Sequence, residues 1–271
     1  MSVWRSASQC LSILIFSAIA LCAFAQAPSA EFTPEVGQSG KDVVWVPSPQ
    51  ELVDKMLDMA KVTPKDYVID LGSGDGRTVI TAAKRGVRAL GVEFNPDMVA
   101  LSKRNAAKAG VSDKASFVEA DIFRTDLSSA TVITLFLLTD LNLKLRPTIL
   151  TLKPGTRIVS NTFRMGDWEP DQTVELGCDT YCTAYLWIVP ARAEGRWKTA
   201  QGDLMLKQEF QKVSGTLNSG NAAAPISRGS LRGDRISFTA AGAEYRGRVN
   251  ANTIEGTVNS AGKSAAWKAT R

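Results

Sequence analysis

Residues 67–76, Tyr67-Val-Ile-Asp-Leu-Gly-Ser-Gly-Asp-Gly76, set an acid ahead of three alternating glycines. Val68 and Ile69 read as the end of a buried parallel strand, with Asp70 at its carboxyl end. Gly72, Gly74 and Gly76 read as a tight turn into the helical pattern of Thr78-Val-Ile-Thr-Ala-Ala-Lys84. Ligands of open α/β sheets bind at that edge, and glycines let a backbone lie against them. The spacing D-x-G-x-G-x-G departs from the dinucleotide fingerprint G-x-G-x-x-G. An acid in that place would repel a pyrophosphate and suits a ligand with a cationic amine. Glu93 ends the next strand, 17 residues past Gly76, where a carboxylate can accept two ribose hydroxyls. Asp140 and Asn142 follow the fourth apolar run, and Asn161 and Trp168 the fifth; these are the candidates to orient a second substrate. No residue stands out as a catalytic base. The chain has no histidine, which removes Ser-His and Cys-His catalysis.

The elements that must position these groups alternate. Ser48-Pro49-Gln50-Glu51 predicts a helix start, with Ser48 capping, Pro49 at the first helical position and Glu51 completing a capping box. Leu52, Val53, Met56, Leu57 and Ala60 give that helix its apolar face. Strands are expected at Val87–Glu93, Ala115–Asp121, Val132–Leu138 and Arg157–Phe163. The charge-free Val132–Leu138 run should be central. Helices are expected over Pro96–Ala109 and Leu141–Leu152, the second kinked or bounded at Pro147. Thr173–Gly177 and Thr183–Val189 read as a closing antiparallel hairpin. From Glu194 short alternating segments take over, among them Leu204–Gln208, Val213–Leu217, Ile236–Phe238, Tyr245–Val249 and Ile254–Val258, which predict a β-meander or small barrel. A glycine-polar-apolar triplet recurs there at Gly215, Gly229, Gly247 and Gly256.

Charge and cysteines bound the setting. Residues 26–191 carry 18 Lys/Arg against 21 Asp/Glu, a balance of −3, whereas residues 192–271 carry 13 against 6, a balance of +7. A basic face of that kind could meet an anionic envelope surface, nucleic acid or an acidic partner, although it is more often an ordinary soluble surface. Arg5 is the only charge before Glu31, and the apolar run Leu11–Cys22 precedes the small-x-small site Ala23-Phe24-Ala25. That pattern predicts a signal peptide over residues 1–25, cleaved after Ala25, and a periplasmic mature protein; the alternative is a cytoplasmic protein whose signal is not used. Leu21 is too bulky to precede a lipidated Cys22. Cleavage leaves Cys178 and Cys182, which can close a disulfide or remain separate thiols. Two thiolates without histidine do not fill a zinc site, so no metal is expected.

The Asp70–Gly76 motif, the strand-end Glu93 and the pair Asp121-Ile122 together resemble class I S-adenosylmethionine (SAM) methyltransferases, from about Val46 to Pro190. The segments Leu52–Ala83 and Leu141–Ser160 are similar to the protein-lysine branch, which includes telomeric-silencing-type and ATP-synthase c-subunit lysine methyltransferases. The resemblance implies an α/β fold: a Rossmann-like seven-strand methyltransferase sheet (46–191), preceded by a linker (26–45) and followed by a small basic all-β meander domain (192–271). It implies SAM as cofactor, held by Asp70, Gly72, Gly74, Gly76 and Glu93. Asp121 would meet the adenine amino group, with Ile122 and Phe94 on the two faces of the ring. The expected reaction is methyl transfer to an amine, a protein lysine first, with Asp140, Asn142 and Asn161 orienting the acceptor. The alternative is an exported binding protein that retains the fold. No Asn/Asp-Pro-Pro-Tyr motif follows the fourth strand, which argues against DNA or glutamine acceptors. Where some relatives carry His-Asp after the fifth strand, this chain has Asn161-Thr162.

Overall fold

Apolar runs too short for helices alternate here with amphipathic segments, a pattern that builds parallel sheets covered by helices. The computed structural model describes Met1 and residues 31–271 apart from 179 and 221, so the predicted signal peptide lies outside the described residues. In chain order the elements are α1 (Gln50–Met59), β1 (Tyr67–Leu71), α2 (Arg77–Lys84), β2 (Arg88–Glu93), α3 (Pro96–Lys108) and β3 (Ala115–Glu119). They continue through β4 (Val132–Leu135), α4 (Thr139–Ile149), β5 (Arg157–Asn161), β6 (Gln172–Glu175) and β7 (Thr183–Ile188). The seven strands lie in the order β3-β2-β1-β4-β5-β7-β6. The first five pair in parallel, and β7 returns antiparallel between β5 and β6. The uncharged β4 is buried at every position and sits in the middle, as a strand covered on both faces must.

Local chemistry sets most boundaries. Asn95 caps α3 by accepting from the amides of Asp97 and Met98, and Pro96 takes the first helical position. Ser48 does not cap α1. It is buried, its hydroxyl accepts from Asn161 Nδ2 at 3.0 Å, and Pro49 stands at the cap position instead. The bond to β5 outcompetes the capping role. Pro147 lies inside α4 rather than ending it; its missing amide falls in the last turn, where one lost bond is tolerated. Strands β4 and β5 stop short of the predicted ends, leaving Phe136 and Phe163 in connections at the sheet's carboxyl edge. Residues 37–45, expected as linker, form a small hairpin closed by Gly37 N–H to Trp45 O and Trp45 N–H to Gln38 O, both 2.9 Å.

The second sheet comprises β8 (Gly195–Thr199), β9 (Gly202–Glu209), β10 (Lys212–Ser219), β11 (Ala222–Pro225), β12 (Ser227–Arg232), β13 (Arg235–Ala240), β14 (Ala243–Asn250), β15 (Thr253–Ser260) and β16 (Lys263–Thr270). Of the two expected forms, meander or small barrel, the sheet takes the closed one. Strand β16 pairs back with β8, so eight strands close into a ring and β11 attaches outside it. The interior is solid, filled by Trp197, Phe238, Tyr245 and Trp267, with Phe238 and Tyr245 stacked at 4.8 Å. Closure explains the recurring glycines. A Cβ on Gly215 would lie 1.8 Å from Met205 O, and one on Gly256 would lie 1.9 Å from Arg246 O. Only glycine admits a neighbouring strand at that separation.

Thr33 to Arg271 behaves as one unit. Trp168, fully buried, stacks on Phe210 of the β9–β10 turn at 5.8 Å, and Ala191 N–H donates to Gly233 O at 2.8 Å. Among the described residues, no helix is long and apolar enough to cross a membrane.

Candidate cofactor and acceptor site

The carboxyl ends of β1, β2 and β3 each deliver one acid to a single cavity, lined by Asp70, Glu93 and Asp121. Asp70 is buried, and Thr134 Oγ1 on β4 donates to its Oδ1 at 2.6 Å. Burial pushes its carboxyl up to about 7; the negative charges of Glu93 and Asp75 add to the rise, and the hydroxyls of Thr134 and Thr78 oppose it. An acid so placed lacks a cation and gains one from a ligand amine.

The turn between β1 and α2 is held rigidly. Gly72 and Ser73 N–H donate to Val92 O at 2.8 and 3.1 Å, and Ser102 Oγ donates to Gly74 O at 2.7 Å. Ser73 Oγ is buried in the cavity wall with no partner among the described residues. Trp45 of the hairpin lies over the turn; a Cβ on Gly74 would stand 2.7 Å from Trp45 Nε1. Gly76 does not line the cavity. It caps α2 at φ +84°, and a Cβ there would meet the Phe117 ring at 2.8 Å. Gly76→Val therefore combines left-handed strain with overpacking and is expected to cost roughly 3 kcal/mol. Gly110→Ala, also at positive φ but facing open space, should cost only about 1 kcal/mol. Equal shifts of the two variants in urea melts would contradict the steric part.

Glu93 accepts from the amides of Phe94, Asn95 and Gly74 at 2.9, 3.0 and 3.0 Å. These bonds fix the carboxylate: Oε1 accepts two of them and Oε2 one, which leaves a lone pair free on Oε2. Asp121 accepts from Phe123 N–H at 2.8 Å and pairs with Lys41 Nζ at 2.8 Å. Lys41 also lies 4.5 Å above the ring of the exposed Phe94, and Ile122 lines the same end. The hairpin thus reaches across the groups expected to face an adenine.

The expected acceptor residues are placed elsewhere. Asp140 is exposed in the first turn of α4 and does not line the cavity. Asn142 is fully buried and donates to the carbonyls of Phe163 and Arg164 at 3.2 and 3.3 Å. Asn161, equally buried, joins Ser48 to Thr162. Trp168 belongs to the contact with the barrel. Asn142 and Asn161 therefore shape the β5 connection from behind. The cavity instead takes in Lys41, Trp45, Ser73, Phe136, Phe163 and Tyr181, none of them singled out by sequence reasoning.

Three acids spaced along one edge, a glycine turn and an unpartnered buried hydroxyl fit SAM, whose ammonium, ribose and adenine amine all donate to carboxylates. Among the described residues, no group of three or more His, Cys, Asp or Glu could hold a metal.

Residues 70–172 match the family model of the ANTKMT methyltransferase domain. A protein-lysine N-methyltransferase of Saccharolobus islandicus (strain REY15A) is 42% identical over 151 residues, covering 54% of this chain and 94% of that protein. The ATP synthase c-subunit lysine N-methyltransferase of Mus musculus is 34% identical over 140 residues, which is 50% of this chain and 55% of its own length. The chain thus spans about half of that relative. Among solved structures, an RNA methyltransferase from Salinibacter ruber in complex with S-adenosyl-L-homocysteine is 48% identical with a TM-score of 0.52, covering 54% of this chain and 95% of that one.

Proposed function

The chain belongs to the SAM-dependent methyltransferase family that contains the archaeal lysine enzyme, and from that premise we propose that it methylates the side-chain amine of protein lysine. The observation that carries this reading is the division of one cavity into an acidic end and an apolar end. Asp70, Glu93 and Asp121 stand on β1 to β3, while Leu135, Leu137, Leu138 and Leu141 line the side of β4 and α4. Bound SAM supplies a methyl group on a sulfonium, which a neutral amine can displace. Asp70 holds the amino-acid end, Glu93 the ribose and Asp121 the adenine amine. The leucine-lined side offers a charged ammonium no partner, which moves a lysine held there toward the neutral, nucleophilic form. It also excludes water, and aligned placement supplies much of the rate.

Relatives bear names for two acceptor classes, protein lysine and RNA. Mass spectrometry after incubation with SAM, offering a lysine-rich peptide mixture and total RNA in parallel, separates them. Gains of 14 Da on lysine are expected; transfer to RNA alone would overturn the proposal.

We also propose export of the mature protein. The apolar segment before Ala25 and the Cys178–Cys182 disulfide support this. The basic barrel would then face an anionic envelope. An amino terminus at Gln26 on protein recovered from cells is the expected result.

A further inference from the structure

Three aromatic side chains from three separate connections meet at the apolar end of the cavity. Phe136 follows β4, Phe163 follows β5, and Tyr181 lies between β6 and β7 in the loop closed by Cys178–Cys182. The Phe136 and Phe163 rings stack at 6.0 Å, and Tyr181 meets Phe136 edge-on at 5.1 Å and Phe163 at 6.3 Å. These rings are not core. Tyr181 is 37% exposed, and both phenylalanines are half-buried.

Their placement is held from behind. Asn142 Nδ2 and Ser160 Oγ donate to Phe163 O at 3.2 and 2.7 Å. Thr162 takes a left-handed φ of 58°, and its amide donates to Thr183 O at 2.7 Å. A strained non-glycine residue fixed at a strand end redirects the chain, and here it sets Phe163 toward the cavity.

Strand order gives the rings their role. A ligand whose nucleoside lies at Glu93 and Asp121 and whose amine lies at Asp70 occupies the ends of β3, β2 and β1. The rings stand beyond it, over β4 and β5, where the second substrate must approach. Aromatic faces bind alkylammonium groups through their quadrupole while covering an aliphatic stem. The rings pack on one another, so no slot is open between them for an inserted nucleobase.

We propose that Phe136, Phe163 and Tyr181 form an aromatic wall that covers the aliphatic stem of the acceptor and receives its methylated ammonium after transfer, apart from the leucine-lined side where the amine loses its proton. This rests on the amine-acceptor reading above. It adds a binding surface and a preference for quaternary ammonium products.

The test is titration of a glycine–trimethyllysine–glycine peptide into the full chain saturated with S-adenosylhomocysteine, beside its neutral tert-butyl isostere. The two probes match in shape and differ in charge. The wild type should bind the charged peptide about tenfold more tightly. Tyr181→Phe should retain that preference. Tyr181→Leu and Phe163→Leu should lose it while keeping SAM affinity within about threefold and the melting curve unchanged, as expected for a surface cation–π contact. Equal binding of the two probes by the wild type overturns the wall, as does a preference that survives both leucine variants. Lysine transfer by the wild type is scored separately by mass. Transfer without charge preference defeats this inference alone, whereas transfer only to RNA defeats the acceptor reading beneath it.

Discussion

Asp70→Asn is expected to lose about 3 kcal/mol of SAM binding, roughly a hundredfold, while making the free protein more stable above pH 7. Both effects follow from one buried carboxyl. Its pKa in the folded chain, raised to about 7 from 3.8, means that the folded state binds the extra proton between those values. The sign follows: stability from this group is full below the unfolded pKa and is lost as pH rises through the folded one. At pH 8 the ionised Asp70 costs the fold up to about 4 kcal/mol, which a neutral amide of the same shape avoids. Asn retains an oxygen to accept from Thr134 Oγ1. Wild-type SAM affinity should therefore climb between pH 5 and 7, as the carboxylate forms, and the variant's should stay flat. Isothermal titration across that range, with urea melts at pH 6 and pH 8, measures both. A variant binding within threefold of wild type would remove Asp70 from the cofactor site.

Asp66→Ala should do the converse and destabilise the fold while leaving the site's chemistry alone. Asp66 is buried four residues earlier, at the amino edge of the same sheet. It accepts from Thr63 N–H at 2.7 Å, Thr63 Oγ1 at 3.0 Å and Thr131 Oγ1 at 2.8 Å, and it pairs with Arg157. Burial alone would raise its pKa, but the bonds from Arg157, Thr131 and Thr63 together hold it below the usual carboxylate value. Its stabilisation is thus present above pH 3.8 and is lost as pH falls through the lowered folded pKa. Truncation leaves Arg157 partly buried without its anion, at an expected cost of about 3–5 kcal/mol. Arg85→Ala is the contrast. Its partners Asp54 and Asp58 are largely exposed, so the loss should stay under about 1 kcal/mol. Thermal melts of the two variants should differ by roughly 10 °C; comparable shifts would show that the Asp66 network carries no special weight. Folded Asp66→Ala should still bind SAM.

The acid-then-glycines turn and the alternation of strands and helices were legible because each is encoded within a dozen residues. A period of apolar residues, a cap at Asn95 and a strand-end acid need only their neighbours. Asp140, Asn142 and Asn161 show where that reasoning runs out. Their position after β4 and β5 was readable, but whether each side chain faces the cavity or the core depends on where those strands stop. Asn142 and Asn161 turn inward to bind the β5 connection and Ser48, and aromatic residues line that end of the cavity instead.

Sequence alone determined that an acid, a glycine turn and a second strand-end acid share one edge of a parallel sheet, because strand direction places every such end on the same side. It also marked the change to an all-β tail. Only the tertiary structure decided that Lys41 pairs with Asp121, that Phe136, Phe163 and Tyr181 meet, and that β16 returns to β8 to close the tail into a barrel. Those contacts join residues between 18 and 80 positions apart. No local periodicity specifies them; they exist because burying apolar surface at near-solid density leaves the chain few ways to bring those segments together.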